Sequence, residues 1–222
     1  MEQLADQFFN FRLMMEASPI IWRGLGVTLM LCLAVIPLGL FGGLLVALAG
    51  QSRFRWVRIL TVIYVDTFRA IPPLVLLIFV YSGLPFAGVR MEPFVAVCLS
   101  FFLNNSAYYG EVYRAGIESI GAGQTLAARS TGLTSLQTMI YVVLPQAIRN
   151  VLPDLLSNTV EVVKLTSLAS VVALPELLYA ADMARSLSYN ASPIVMAAVI
   201  YLAILWPAIR LVSRFERRIG AD

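Results

Sequence analysis

Long apolar stretches separated by short arginine-rich segments run along the whole of this chain. The first stretch, 24–52, contains no charged residue, and it exceeds the roughly 20 residues that an α-helix needs to cross a bilayer. Four later stretches are also mostly apolar; the second contains Pro72 and Pro73, which lack a backbone N–H and are expected to kink or unwind it. The pattern predicts an all-α integral membrane protein, a single transmembrane domain over 1–222. About five transmembrane helices are expected, near 24–49, 59–83, 93–113, 151–173 and 193–212.

The composition supports a membrane protein and excludes several other classes. Of the 222 residues, 59% are hydrophobic and 13% are charged, about half the charged fraction of a typical soluble domain. The sequence has no histidine, no phosphate-binding glycine-rich loop, and only two cysteines, both in apolar runs. We therefore predict no metal site, no catalytic residue and no cofactor in this chain. The net charge of +3 does not indicate a nucleic-acid partner, because all but one of the basic residues are arginines that cluster at span ends.

The distribution of these arginines predicts the orientation in the membrane. They are concentrated in 53–58, 114–149 and 210–218, whereas the intervening segments carry fewer arginines and more acidic residues. Because cytoplasmic loops are enriched in Lys and Arg, the N-terminus is expected outside and the C-terminus in the cytoplasm. The first 22 residues would then form an extracytoplasmic segment, either a helix at the membrane interface or a short disordered tail.

Two acid–base pairs fall inside the predicted spans, where an unpaired charge costs about 2.5–3.5 kcal/mol. Asp66 lies three residues before Arg69, and Glu161 lies three residues before Lys164, so each pair shares a helix face. Two interpretations remain open: the pairs only neutralise each other, or they line a polar path for a solute that carries a carboxylate and an ammonium group. The candidate path residues are Asp66, Arg69, Asn104, Asn105, Glu161, Lys164, Thr166 and Ser167.

The segment 118–149 is the most distinctive part of the sequence, because it is rich in small residues and compatible with water. The spacing of Ala127-Ala128, Gly132 and Leu144-Pro145 resembles the loop with which permeases of bacterial ATP-binding cassette (ABC) importers dock into a separate ATPase. Leu126 stands where the family's loop usually has Glu. The resemblance implies a cytoplasmic coupling helix, and an ordinary amphipathic helix between two spans is the alternative. The candidate coupling residues are Gly123, Gln124, Leu126, Ala127, Ala128 and Gly132.

Further motifs resemble the polar-amino-acid branch of the same permeases over about 20–220. They are Tyr64–Val75, Tyr108–Ser119, Leu144–Arg149 and Lys164–Leu168, although Leu165 stands where the family often has Asp. The resemblance implies the fold of a type I ABC importer transmembrane domain in the bacterial cytoplasmic (inner) membrane. It implies as partners a cytoplasmic ABC ATPase that binds ATP and Mg²⁺, a second permease subunit (the same chain or a paralogue), an extracytoplasmic amino-acid-binding protein, and membrane lipid. The chain itself would form the translocation path and hydrolyse nothing.

An ion-coupled secondary transporter of small polar solutes is the alternative function, with acidic residues that relay protons or bind sodium. Such carriers usually contain internal repeats, whereas this sequence shows no duplication. Within the importer interpretation, the membrane charges fit an acidic, basic, amide or zwitterionic substrate equally well. Selectivity that lies wholly in the binding protein is a third possibility.

Overall fold

The computed structural model of the chain describes residues 2–219, and it describes the side chains of residues 6–216. Within this part the chain is helical and contains no β-strand, which confirms the predicted all-α fold. Met1 and residues 220–222, the two ends of the predicted domain, lie outside the described residues.

Ten α-helices follow one another in the described part of the chain. They are α1 (Glu2–Phe9), α2 (Phe11–Gly50), α3 (Arg55–Ala70), α4 (Pro73–Ile78), α5 (Pro93–Ser119), α6 (Ala122–Ser130), α7 (Ser135–Thr138), α8 (Leu144–Leu165), α9 (Leu177–Ser188) and α10 (Ser192–Ile219). Wider π-helical turns at Phe79–Gly83 and Met139–Val143, and tighter 3-10 helices at Leu84–Ala87 and Thr166–Val172, extend several of them.

Three described stretches are long and apolar enough to cross a membrane: Asp6–Gly50, Ser135–Val172 and Ser192–Glu216. A fourth is added if the bent pair Arg55–Ala70 and Pro73–Ala87 forms one broken span. The predicted third span lies in α5. Its 27 residues extend for about 40 Å at 1.5 Å per residue, which is long enough to cross a bilayer, but two adjacent asparagines make the helix less apolar than the other stretches. The count of five spans stays a prediction.

The first span belongs to a helix that begins earlier than predicted, at Phe11. The charges before residue 24 do not end the helix, because Arg12 and Glu16 pair along it at 3.0 Å. Side-chain hydrogen bonds also tie this end of the chain to the start of α10 and the residues just before it. The Asn10 N–H donates to Ser192 Oγ (2.9 Å), and Asn190 Nδ2 donates to the Asp6 carbonyl (2.9 Å). The N-terminal segment is therefore helical and anchored, and its place at a membrane interface stays a prediction.

The fourth predicted span also belongs to a longer helical stretch, which begins at Ser135. It starts there because Thr134 and Gln137 form a capping box, in which each side chain accepts the other's backbone N–H (3.3 and 2.8 Å). The helix then widens over Met139–Val143, just before Pro145, which cannot donate a helical hydrogen bond. The end of the predicted cytoplasmic segment is thus continuous with the helix that follows.

The chain divides into two compact units. The first comprises residues up to Ile36, 72–101 and 160–210, and the second comprises 37–71, 102–159 and the residues from 211 onwards. The core of the first unit is formed by Ala17, Ile21, Leu177, Ala181, Ala184 and Ala197.

In the second unit, glycines of α2 allow close contact with α5. A Cβ on Gly43 would lie 2.5 Å from the Cβ of Tyr109, and a Cβ on Gly42 would lie 2.6 Å from the Phe102 ring. No side chain fits at those distances, so the backbones meet directly, as in other membrane helix pairs. The glycines of this face therefore permit the close approach of α2 to α5.

Candidate functional site

Helix α3 ends at a break made by two consecutive prolines, as predicted. Ile71 (φ −77°, ψ 124°) and Pro72 (φ −56°, ψ 133°) are extended, and α4 begins at Pro73. Neither proline has an N–H, so the carbonyls of Phe68 and Arg69, four residues earlier, lose their helical donors. These carbonyls are left to accept hydrogen bonds from side chains or water.

Two side chains one turn apart on α5 supply those partners. Asn104 Nδ2 donates to the Phe68 carbonyl at 2.9 Å, and the Tyr108 hydroxyl donates to the Arg69 carbonyl at 3.4 Å. Asn104 is buried, and this bond gives its amide a structural role at the break. Its predicted contribution to a substrate path remains untested.

Arg69 pairs with a residue of α5 and not with Asp66. Its Nη1 lies 3.7 Å from Glu111 Oε1, and its guanidinium lies 5.5 Å from the centre of the Tyr108 ring. Asp66 is exposed and forms no ion pair with any described residue. The predicted Asp66–Arg69 pair is therefore wrong, because the contact between α3 and α5 gives Arg69 a carboxylate and an aromatic face together.

Glu111 is a site residue that the sequence interpretation missed. Its carboxylate also accepts two hydrogen bonds from Arg114, whose Nη1 donates in turn to Glu118 at 2.6 Å. A chain of alternating charges therefore runs from Arg69 along α5 to the start of the predicted coupling segment. The available signal was the spacing of Asn104, Tyr108 and Glu111 at i, i+4 and i+7, which places polar groups on one helix face.

Asn105 lies on a different side of α5 from Asn104. It is buried, and its Cβ would be 3.2 Å from a Cβ on Gly39 of α2. Its neighbour Ser106 shares a 2.7 Å hydrogen bond with the Tyr64 hydroxyl. The structure places Asn105 at a packed helix contact, and its role in a path stays a prediction.

In the other unit, the second predicted charge pair is present. Lys164 donates to Glu161 within α8, and the two side chains are 46% and 61% exposed. Thr166 and Ser167 follow where the helix tightens into its 3-10 end. Their hydroxyls donate to backbone carbonyls, of Val163 at 2.7 Å and of Lys164 at 2.8 Å, and Thr166 is buried. Of these four candidates, the charged pair is the more accessible part.

Glu176, which lies between the fourth and fifth predicted spans, is fully buried. It caps the N-terminus of α9 by accepting the N–H groups of Leu178 (2.9 Å) and Tyr179 (2.8 Å), and the Tyr201 hydroxyl donates to it at 3.2 Å. Burial raises the pKa of Glu176, and the hydrogen bonds that it accepts oppose that shift. Its position is explained by helix capping.

The predicted coupling residues lie on and just after helix α6, a short exposed helix. Gly123, Gln124, Leu126 and Ala127 are all exposed, with Leu126 66% accessible, and Gly132 has φ +90° in the turn that follows. Ala128, in contrast, is 7% accessible and packs within the chain. Among the coupling candidates on α6, Ala128 is therefore the one whose side chain is not open to a partner, and α6 contacts Met139–Val143.

A cavity of about 390 Å³ lies beside α6 and connects it to another predicted cytoplasmic segment. Its walls include Thr125 and Arg129 of α6, Thr138 and Gln51. Gln51 belongs to the loop between α2 and α3, which carries Arg53 and leads into Arg55 and Arg58 at the start of α3. The arginine-rich loop and α6 therefore lie at the same end of this unit, which agrees with their predicted common side.

A family model described as a binding-protein-dependent transport system inner membrane component matches residues 36–221. The chain belongs to this family. The permease is thus the inner-membrane component of a transport system, as the motifs implied, and the family match does not support an ion-coupled carrier.

Relatives and solved structures agree with this assignment. The permease is 34% identical over 200 residues to the probable amino-acid ABC transporter permease YckA of Bacillus subtilis (strain 168), covering 90% of this chain and 88% of the relative. It is 36% identical over 210 residues to the probable glutamine ABC transporter permease GlnP of the same organism, covering 91% and 95%. A chain in the crystal structure of an amino acid ABC transporter with histidines superposes with a TM-score of 0.84 at 34% identity, covering 92% and 96%. These matches confirm the type I importer fold.

Proposed function

We propose that the permease forms the translocation path of an ATP-driven amino-acid importer. The observation that carries this proposal is the similarity, over 90% and 91% of the chain, to permeases whose names specify amino acids or glutamine. A second permease subunit, a cytoplasmic ATPase that binds ATP and Mg²⁺, and an extracytoplasmic amino-acid-binding protein would complete the transporter. The permease itself hydrolyses no ATP in this proposal.

The coupling part of the proposal rests on α6. Its outward face combines Gly123, Ala127 and an exposed Leu126, so a partner protein can approach the backbone closely and bury one large apolar side chain. On the opposite face, Ala128 is buried within the chain. The capping box at Thr134 fixes the start of the next helix. A docked ATPase would therefore move α6 together with the helix that continues into the membrane.

The substrate part of the proposal rests on Arg69 and Lys164. Their side chains are 40% and 46% exposed, and each cation is held by a carboxylate, Glu111 and Glu161 respectively. The carboxylate of an amino acid can replace such a partner, and the freed carboxylate can accept the ammonium group. The exchange keeps every charge paired while the solute passes.

The orientation with the N-terminus outside and the C-terminus in the cytoplasm is part of the same proposal. Helix α6 and the arginine-rich loop share one end of their unit. The excess of arginine at that end supports a cytoplasmic location, where an ATPase would meet α6.

The coupling proposal predicts that bulk on the open face of α6 separates the permease from its ATPase. A Cβ on Gly123 meets no atom within 4 Å, so Gly123→Trp should leave the fold intact while it abolishes ATPase co-purification and ATP-dependent glutamine uptake in proteoliposomes. Gly26, which also has open space around it, supplies the matched control Gly26→Trp, which should keep both activities. Ala128→Trp should instead lower the amount of folded permease. Normal uptake by the Gly123→Trp complex would exclude this face as the docking surface.

A further inference from the structure

An open apolar groove of about 420 Å³ lies between the end of α2 and the start of α3. Its lining residues are Leu45, Val46, Ala49, Trp56, Val57, Leu60, Thr61 and Tyr64. The two hydroxyl groups among them are already bonded within the chain: Thr61 Oγ1 donates to the Val57 carbonyl (2.9 Å), and the Tyr64 hydroxyl bonds to Ser106 (2.7 Å). The groove therefore suits a hydrocarbon occupant that requires no hydrogen bonds.

Three arginines lie at the level of the groove's first α3 residues, Trp56 and Val57, in the segment that enters this helix. Arg53, Arg55 and Arg58 are exposed, and none forms an ion pair with a described residue. The Arg53 guanidinium lies 4.7 Å from the centre of the Phe54 ring, which fixes its position but leaves its charge unneutralised. An apolar groove beside three such cations is complementary to a molecule with a hydrocarbon chain and an anionic head.

The position of the groove fits a lipid of the bilayer. Trp56 and Phe54 are exposed and stacked, with ring centres 6.4 Å apart, as is typical of aromatic residues at the headgroup level. From Trp56 to Tyr64 the α3 wall extends for about 12 Å at 1.5 Å per residue. An acyl chain can follow this wall into the hydrocarbon layer while its phosphate stays beside the arginines.

We propose that this groove binds one anionic phospholipid, with an acyl chain between α2 and α3 and its phosphate held by Arg53, Arg55 and Arg58. A second copy of the permease fits the same surface less well. Docking of this surface on itself about a two-fold axis would bring two sets of three arginines together. Attraction of basic residues to anionic lipid, at about 1 kcal/mol per arginine, favours the lipid instead.

The test compares lipid retention by two variants that each lose two arginines. The full-length permease is purified with mixed phosphatidylglycerol and phosphatidylcholine, and bound lipid is measured by native mass spectrometry. Arg55→Gln/Arg58→Gln should weaken phosphatidylglycerol binding roughly 30-fold, about five-fold for each arginine. Arg23→Gln/Arg90→Gln, which removes two exposed arginines outside this region, should leave it unchanged. Arg55→Lys/Arg58→Lys should restore binding, which separates loss of charge from loss of fold.

A groove-filling variant tests the acyl chain separately from the headgroup. Ala49→Phe should displace phosphatidylglycerol although all three arginines remain, and soluble glycerol phosphate should not compete with the lipid. Equal losses in the two double variants, or competition by glycerol phosphate, would overturn the proposal in favour of non-specific charge or a simple anion site. Loss of a permease dimer instead of lipid in Ala49→Phe would identify a second copy as the occupant and would equally overturn it.

Discussion

Two acid–base pairs with the same sequence spacing have different outcomes in this permease. Glu161 and Lys164 pair with each other within α8, whereas Asp66 and Arg69 do not pair, and Arg69 contacts Glu111 of α5. The difference arises at the helix end. Both cations lie one residue from the end of their α-helix. Helix α8 continues into a 3-10 helix, whereas α3 ends at a proline break whose carbonyls accept hydrogen bonds from Asn104 and Tyr108 of α5, the helix that also carries Glu111. Spacing predicts a pair only where no neighbouring helix brings a better partner.

The largest expected effect comes from removal of the amide that supports the break. Asn104→Leu leaves the part-buried Phe68 carbonyl without its donor, and the loss of such a hydrogen bond lowers the free energy of unfolding by about 1 kcal/mol. Thermal unfolding in detergent should therefore occur at a lower temperature. Pro72→Ala restores an N–H four residues after Phe68, so Asn104→Leu should cost clearly less in that background. An equal cost in both backgrounds would show that Asn104 does not act through this carbonyl.

The next effect concerns the partner that Arg69 has gained. Glu111→Gln removes the carboxylate shared by Arg69 and Arg114, and a double-mutant cycle with Arg69→Gln should give a coupling of about 0.5–1 kcal/mol for this partly exposed pair. We expect amino-acid uptake to fall in both single variants, with basal ATPase activity retained better than substrate-stimulated activity.

Glu118→Gln is the matched control for Glu111→Gln. It removes a carboxylate that contacts Arg114 and leaves the Arg69–Glu111 contact in place. Uptake should therefore remain close to that of the parent. If Glu118→Gln and Glu111→Gln reduce uptake equally, the effect belongs to Arg114 and not to Arg69.

Local features of the fold could be predicted from the sequence, whereas features that depend on helix contacts could not. The break at Pro72-Pro73 and the Glu161–Lys164 pair follow from residues at most four positions apart. The Arg69–Glu111 pair joins residues 42 positions apart, so it exists only once α3 and α5 have packed. The same holds for the buried face of Ala128, which the contact of α6 with Met139–Val143 decides.

Glu176 shows a further limit of composition-based reasoning. A glutamate between predicted spans is ordinarily assigned to water, since charged residues are rarely buried without partners. Here the N-terminus of α9 and the Tyr201 hydroxyl supply three donors to its carboxylate. The position of Glu176 immediately before an apolar run was the available capping signal.

The Glu161–Lys164 pair is expected to matter little for stability and more for transport. Because both side chains are about half exposed, Glu161→Gln should change the free energy of unfolding by no more than about 0.5 kcal/mol. Uptake should nevertheless fall, since Lys164 loses the carboxylate with which a substrate would exchange. Unfolding and uptake are measured on the same preparation. If uptake falls only in proportion to the amount of folded protein, the exchange of Glu161 for a substrate carboxylate is contradicted and a purely structural pair is favoured.

The smallest effect is expected at Asp66, where the sequence pattern was most misleading. Asp66 is exposed and has no ion-pair partner among the described residues, so Asp66→Asn should change the free energy of unfolding by less than about 0.5 kcal/mol, the usual range for such surface positions. Arg69 keeps Glu111 and the Tyr108 ring in this variant, so uptake should stay near the parental rate, in contrast to Glu111→Gln. The two variants each remove one negative charge, but only Glu111→Gln removes a carboxylate that contacts Arg69 and Arg114. A loss of uptake in Asp66→Asn equal to that in Glu111→Gln would mean that Arg69 exchanges between the two carboxylates during transport, and the helix-to-helix pair would then describe only one state of the cycle.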